Sequence, residues 1–135
     1  MSELNAFVDN LEAAEEFVPD LMILDYADLM KMGSTKDTDH RIEVGKIYKE
    51  LRGFAVARNI MLATASQVNR AGAAAQGKID ITHISEDFSK IQTCDTAIMV
   101  SATEAQRNAG IARLFVGVAR NAEDKFEVLI EQDYL

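Results

Sequence analysis

Cysteine is nearly absent from this sequence: Cys94 stands alone, so no internal disulfide can brace the chain. Histidine is almost as scarce, and His40 and His83 lie too far apart in sequence to begin a Cys/His metal cluster. Tryptophan is missing and aromatic residues make up only 7% of the chain, with no local grouping on which successive nucleic-acid bases would stack. Basic residues are outnumbered, 14 Lys and Arg against 22 Asp and Glu, and a net charge of −8 excludes a surface that is a polyanion footprint all over. Any contact with nucleic acid has to be local, made by a few loops. No apolar run approaches the ~18 residues that a membrane span needs, and the opening MSELNAFVDNLEAAEEF carries acids where a secretory leader carries bases. The expected setting is the cytoplasm, with no membrane partner.

What is present is a mixture suited to one compact domain over 1–135, with 48% hydrophobic and 27% charged residues. At this length folding buries roughly two-thirds of the surface of the unfolded chain, so a core needs neither disulfide nor metal. Leu4, Phe7, Val8, Leu11, Ala14 and Val18 recur at helical spacing, which predicts a leading helix over 3–18 with Ser2 as its N-cap and Pro19 as its stop. Leu21 to Leu24, closed by Asp25, predicts a strand buried on both faces. After the polar loop KMGSTKDTD a long helix is expected over 40–59, with Val44, Ile47, Tyr48, Leu51, Phe54 and Ala55 on one face, and then a strand at Met61–Ala65. Residues 69–81 have neither period. A short helix with Ile84, Phe88 and Ile91 inward follows, then a strand at Thr96–Val100 and two strands, IARLFVGVAR and FEVLIEQ, around the turn NAED. Phe7, Phe17, Phe54, Phe88 and Phe115 are assigned to core faces. Alternation of strands and helices implies an α/β fold: a mainly parallel sheet flanked by helices, finished by a C-terminal antiparallel strand pair.

In such a sheet ligands lie beyond the carboxyl ends of the strands, so the residues that close each apolar run carry the chemistry. Asp25 ends PDLMILD, Ser66 and Gln67 follow MLATA, and Arg120 ends LFVGVA. An Asp there can hold the water shell of Mg²⁺, a Gln beside it can donate to a terminal phosphate, and an Arg can reach a phosphate on an adjacent subunit. Each alone is also an ordinary feature, since an Asp after a strand is a common turn former or helix cap.

Their order carries a resemblance. PDLMILDYADLMK at 19–31 looks like the Walker B segment of DnaB-type replicative helicases, in its phage-like form. RIEVGKIYKELRGFAVARNIMLATASQVNR at 41–70 is similar to that family's helix, strand and Ser-Gln-x-Asn-Arg sensor motif. HISEDFSKIQTCDTAIMV resembles the next helix and strand, and VARN at 118–121 resembles the stretch that carries an arginine finger. The resemblance runs from Pro19 to the end and implies a partial RecA-like fold, the distal half of an ATP-dependent DNA helicase motor. It implies that Asp25 helps to hold Mg²⁺ through water, that Gln67 senses the γ-phosphate of ATP with Ser66 beside it as a cofactor-binding residue, and that Arg120 acts on ATP bound by a neighbouring subunit of a ring. It further implies that the 69–81 loop faces single-stranded DNA, with Arg70 and Lys78 as phosphate contacts. Val118 and Ala122 depart from the family pattern, which has Lys and commonly Gly there.

The family's P-loop and catalytic glutamate precede Walker B, and here only a helix precedes Pro19. Gly72-Ala-Ala-Ala-Gln-Gly77-Lys78 satisfies GxxxxGK, but Ile79 follows where Mg²⁺ needs Ser or Thr, and no strand runs directly into Gly72. The P-loop half is therefore expected to be missing, ATP and Mg²⁺ to bind tightly only in the complete motor, and the partners to be that half, like subunits and single-stranded DNA. A homodimer or swapped dimer of the chain by itself is the corresponding expectation in isolation. Two alternatives remain at this level. One is a stand-alone, non-catalytic RecA-like binding or regulatory module. The other, more remote, is a receiver-like domain, which PDLMILD and MLATAS also resemble although the acidic pair and Lys-Pro of a receiver are lacking. The sequence does not choose a primase or loader partner.

Overall fold

The computed structural model describes residues 1–31, 40–67 and 88–133. The chain forms two compact units, Met1–Ser66 and Gln67–Leu135.

In the first unit, helix α1 (Ser2–Glu15) leads into strand β1 (Leu21–Leu24), a 3₁₀ turn (Ala27–Leu29), helix α2 (His40–Arg58) and strand β2 (Met61–Thr64). Ser2 is the first helical residue and not the N-cap, a place taken by Met1 without a side-chain bond. The helix also stops before Pro19: the residue preceding a proline is driven out of the α region, and Glu16 closes the helix in the left-handed conformation with φ 52°. Helix α2 ends on a similar device. Asn59 takes φ 55° and the Ile60 N–H donates to the Ala55 carbonyl at 2.9 Å, which turns the chain straight into β2. Strands β1 and β2 are parallel and in register, Leu21 opposite Met61 and Leu24 opposite Thr64.

Both helices contribute to a core on one side of this narrow sheet. Val8 of α1, Phe54 of α2 and Ile60 are buried together, with Met22, Leu62, Met1 and Leu4 packed against them. Arg58 ties the helices at their rim, donating to Asn5 Oδ1 at 3.1 Å and to Asp9 Oδ1 at 2.6 Å, with its guanidinium 5.6 Å from the Phe54 ring centroid. The other side of the sheet departs from the sequence expectation of strands buried on both faces. Ile23 is 74% and Met61 66% exposed, and Leu21 is exposed as well. Two strands about 5 Å apart are wide enough to cover one stripe of each helix, and no described element of this unit covers the second face. Phe7 and Phe17 are likewise exposed and not core residues, whereas Phe54 is buried as expected.

The second unit contains α3 (Phe88–Thr93), β3 (Thr96–Ser101), α4 (Glu104–Asn108), β4 (Ile111–Ala119) and β5 (Phe126–Glu131). The antiparallel part is a trio, not a pair: β3, β4 and β5 form one sheet, with β3 antiparallel to β4 through a register shift at Ala97/Ile98. Helix α4 is not anticipated from hydrophobic period, although the sequence contains a signal for it. Thr103-Glu-Ala-Gln106 is a capping box, in which Thr103 Oγ accepts from the Gln106 N–H at 3.2 Å and Gln106 Oε1 accepts from the Thr103 N–H at 2.8 Å. Gly110 then turns the chain with φ +66°, where a Cβ would lie 3.1 Å from the Gln132 carbonyl oxygen. Ile98, Val100, Phe126 and Val128 share one face of this sheet and are exposed.

Phe54→Ala is expected to cost about 3–5 kcal/mol by opening the core of the first unit, whereas Ile23→Lys on the bare face should cost about 1 kcal/mol or less. Urea denaturation of the two variants checks the contrast. The bare faces also predict association of the isolated chain, so light scattering should give a mass above that of a monomer at high concentration, reduced by Ile23→Lys.

Candidate functional site

Parallel pairing in register puts the carboxyl ends of β1 and β2 on one rim, with Asp25 following the first and Ala65, Ser66 and Gln67 following the second. Thr64, the last residue of β2, fastens the two tips together. Its hydroxyl donates to the Leu24 carbonyl at 2.8 Å and accepts from the Ala27 N–H at 3.0 Å, so one side chain fixes both the end of β1 and the start of the 3₁₀ turn. The Asp25–Tyr26 peptide bond within this segment is cis. Asp25, Ser66 and Gln67 are all exposed.

The rim has a second polar centre that sequence reasoning misses. Asp28, in the 3₁₀ turn, accepts from the Tyr48 hydroxyl at 3.0 Å through Oδ1 and from the Ser66 hydroxyl at 2.8 Å through Oδ2. Tyr48 lies on the buried face of α2, and helical period alone assigns it to the core without a polar role. A carboxylate three positions beyond Asp25 is the available signal. The Ser66 proton is thus directed at Asp28, which leaves its oxygen as an acceptor.

In the second unit Arg120 directly follows β4. Its guanidinium turns back on its own chain, donating from Nε to the Cys94 carbonyl at 3.1 Å and from Nη2 to the Gln92 carbonyl at 2.5 Å, near the end of α3. Asp95 Oδ1 stands 3.5 Å from Nε, and the side chain is half exposed. Arg113, to which the sequence draws no attention, is buried in the sheet between Ser101, whose hydroxyl accepts at 3.1 Å, and Glu127 at 3.4 Å. Arg70, Lys78 and the whole 72–78 segment lie outside the described residues. Among the described residues no three His, Cys, Asp or Glu gather to hold a metal. Nor is any described helix long and apolar enough to cross a membrane.

No family profile matches the chain, and no curated protein matches it. Solved structures do. A DnaB-like replicative helicase, determined with its interactions with primase, matches over 95% of this chain at a TM-score of 0.77 and 14% identity. A second solved structure, of an ATPase domain, matches over 93% at a TM-score of 0.76, again with 14% identity. The fold of this chain is that of part of those two structures. It spans 33% of the first of those chains and 46% of the second. The expected class, a partial α/β domain, agrees with that coverage.

Thr64→Val removes the hydroxyl at nearly constant volume and leaves the Ala27 N–H without its acceptor, which should cost about 1–3 kcal/mol in urea denaturation. Thr64→Ser retains both bonds and should recover most of the loss.

Proposed function

We propose that this chain is the distal half of an ATP-dependent DNA helicase motor. The observation that carries the reading is the rim itself: on a fold shared with helicase ATPase domains, an exposed carboxylate and a Ser-Gln pair leave adjacent parallel strands at the same end. In open α/β sheets that end is where ligands bind.

Mg²⁺ suits this donor chemistry, because it retains several waters and takes one or two carboxylates together with phosphate oxygens, so a single exposed Asp25 is an appropriate protein contribution. Held through its water shell by Asp25, the ion would neutralise charge on the phosphates when bound. Gln67 is the residue that donates to the γ-phosphate. Arg120 reaches ATP on a neighbouring subunit of a ring. To do so its fork exchanges the Gln92 and Cys94 carbonyls, and the exposed Asp95 carboxylate 3.5 Å from Nε, for phosphate oxygens, which are charged acceptors that a guanidinium can bind bidentately. Arg70 and Lys78 touch the phosphates of single-stranded DNA. The cradle for the β- and γ-phosphates comes from the P-loop half, without which the chain does not turn over ATP.

The test joins this chain to a P-loop half that carries the catalytic glutamate and measures ATP hydrolysis with and without single-stranded DNA. The chain alone should be inactive and the joined motor active. Asp25→Asn and Gln67→Ala should each lower turnover about a hundredfold or more, the range for loss of one preorganised group at a phosphate or oxyanion. Hydrolysis by the chain alone, abolished by Lys78→Ala, would overturn the reading and restore the 72–78 loop as a phosphate cradle. A chain that gives the P-loop half no activity would favour the non-catalytic module.

A further inference from the structure

Asp28 lies outside every role assigned above, yet it joins three segments of the rim. We propose that Asp28 is the positioning residue of this site, a carboxylate clamp that holds the Ser66–Gln67 tip of β2 against helix α2 so that Gln67 meets the phosphate in one orientation. The proposal rests on the phosphate-reading role of Gln67 given above, and extends it to a residue that touches neither nucleotide nor metal.

The geometry suits a carboxylate. Both hydroxyl groups donate, Tyr48 to Oδ1 at 3.0 Å and Ser66 to Oδ2 at 2.8 Å, so Asp28 must accept on both oxygens at once. An ionised carboxylate accepts on both sides; an asparagine could still accept from one hydroxyl and donate its NH₂ to the oxygen of the other, so alanine is the substitution that removes the clamp. The two donors differ in their anchorage. Tyr48 is buried in the face of α2 that packs inward, whereas Ser66 is exposed on a segment past the end of its strand. Asp28 is held in turn by the 3₁₀ turn, whose first N–H, that of Ala27, is bonded to Thr64. The rigid members are thus the helix and the turn, and the member that gains order is the Ser66–Gln67 tip. Charge-assisted bonds of this kind are stronger than neutral ones. A donor misplaced by ~1 Å can lose about a hundredfold in rate, which is the scale on which such a clamp matters.

The first measurement uses the chain as it is: backbone ¹⁵N relaxation at residues 64–67, with thermal unfolding as a control. Asp28→Ala and Ser66→Ala should each lower the order parameters of Ser66 and Gln67 but not that of Thr64. Ser66→Thr, which retains the hydroxyl, should restore them. The double variant should loosen the tip no further than either single one, because both remove the same bond. Unchanged order at Ser66 and Gln67, or additive effects, would overturn the proposal. The second measurement uses the joined motor. Asp28→Ala should lower kcat, counted per folded molecule by circular dichroism, about tenfold or more with little change in KM for ATP; the count is needed because unfolded enzyme also lowers apparent kcat at constant KM. Gln67→Ala in the same assay separates the two ideas. If Gln67→Ala reduces turnover and Asp28→Ala does not, the clamp is overturned; if Gln67→Ala has no effect, the phosphate-reading role on which it rests has failed.

Discussion

The first unit depends on a single-sided core. Two parallel strands of four residues each have too few ladder bonds to persist alone, and sheets this small require packing against a helix. Val8, Phe54 and Ile60 supply it, with Met22 and Leu62 presenting the even-numbered face of each strand. Once that face is fixed, the register is fixed too, since a slip of one residue would turn Ile23 and Met61 inward and Met22 and Leu62 out. Register then decides chemistry. With Leu24 opposite Thr64, Asp25 and Ser66 have to leave the sheet on the same rim, and the Thr64 hydroxyl can bond both Leu24 and Ala27.

The second unit is organised differently. Its strands pair antiparallel, so each hydrogen-bonded neighbour is close in sequence, and local devices hold much of it together: the Thr103/Gln106 box, the Gly110 turn and the Lys125 N–H bonded to the Val116 carbonyl at 2.7 Å. Arg120 belongs to this scheme as well, since its backbone N–H donates to the Asp95 carbonyl at 2.9 Å while its side chain covers the carbonyls at the end of α3. Its place at a strand end and its bonds to the α3 end are compatible, because an exposed guanidinium can change acceptors without moving the strand.

Exposed apolar faces mark both units. Leu21, Ile23 and Met61 in the first and Ile98, Val100, Phe126 and Val128 in the second belong to strands whose composition is that of doubly covered sheet. Such strands suit the interior of a larger layered domain, and this chain spans a third to a half of the structures it resembles. Exposure here reflects how few described elements each unit has to cover its sheet, rather than any weakness in the pattern.

Hydrophobic period, the proline and the short apolar runs determined the elements from sequence alone: β1 falls at Leu21–Leu24, α2 at His40–Arg58 and β2 at Met61–Thr64, each within a residue or so of expectation. Asp25, Ser66 and Gln67 were legible as rim positions for the same reason, since the end of an apolar run marks the end of a strand. Side-chain partnership was not legible. That Phe7 and Phe17 would stay exposed, that β3 would join β4 and β5 in an antiparallel trio, and that Asp28 would gather Tyr48 and Ser66 all depend on contacts between residues distant in sequence. Periodicity reports which face of an element is apolar. Only tertiary packing decides whether another element is wide enough to cover that face, and which polar groups its covering brings within hydrogen-bonding distance.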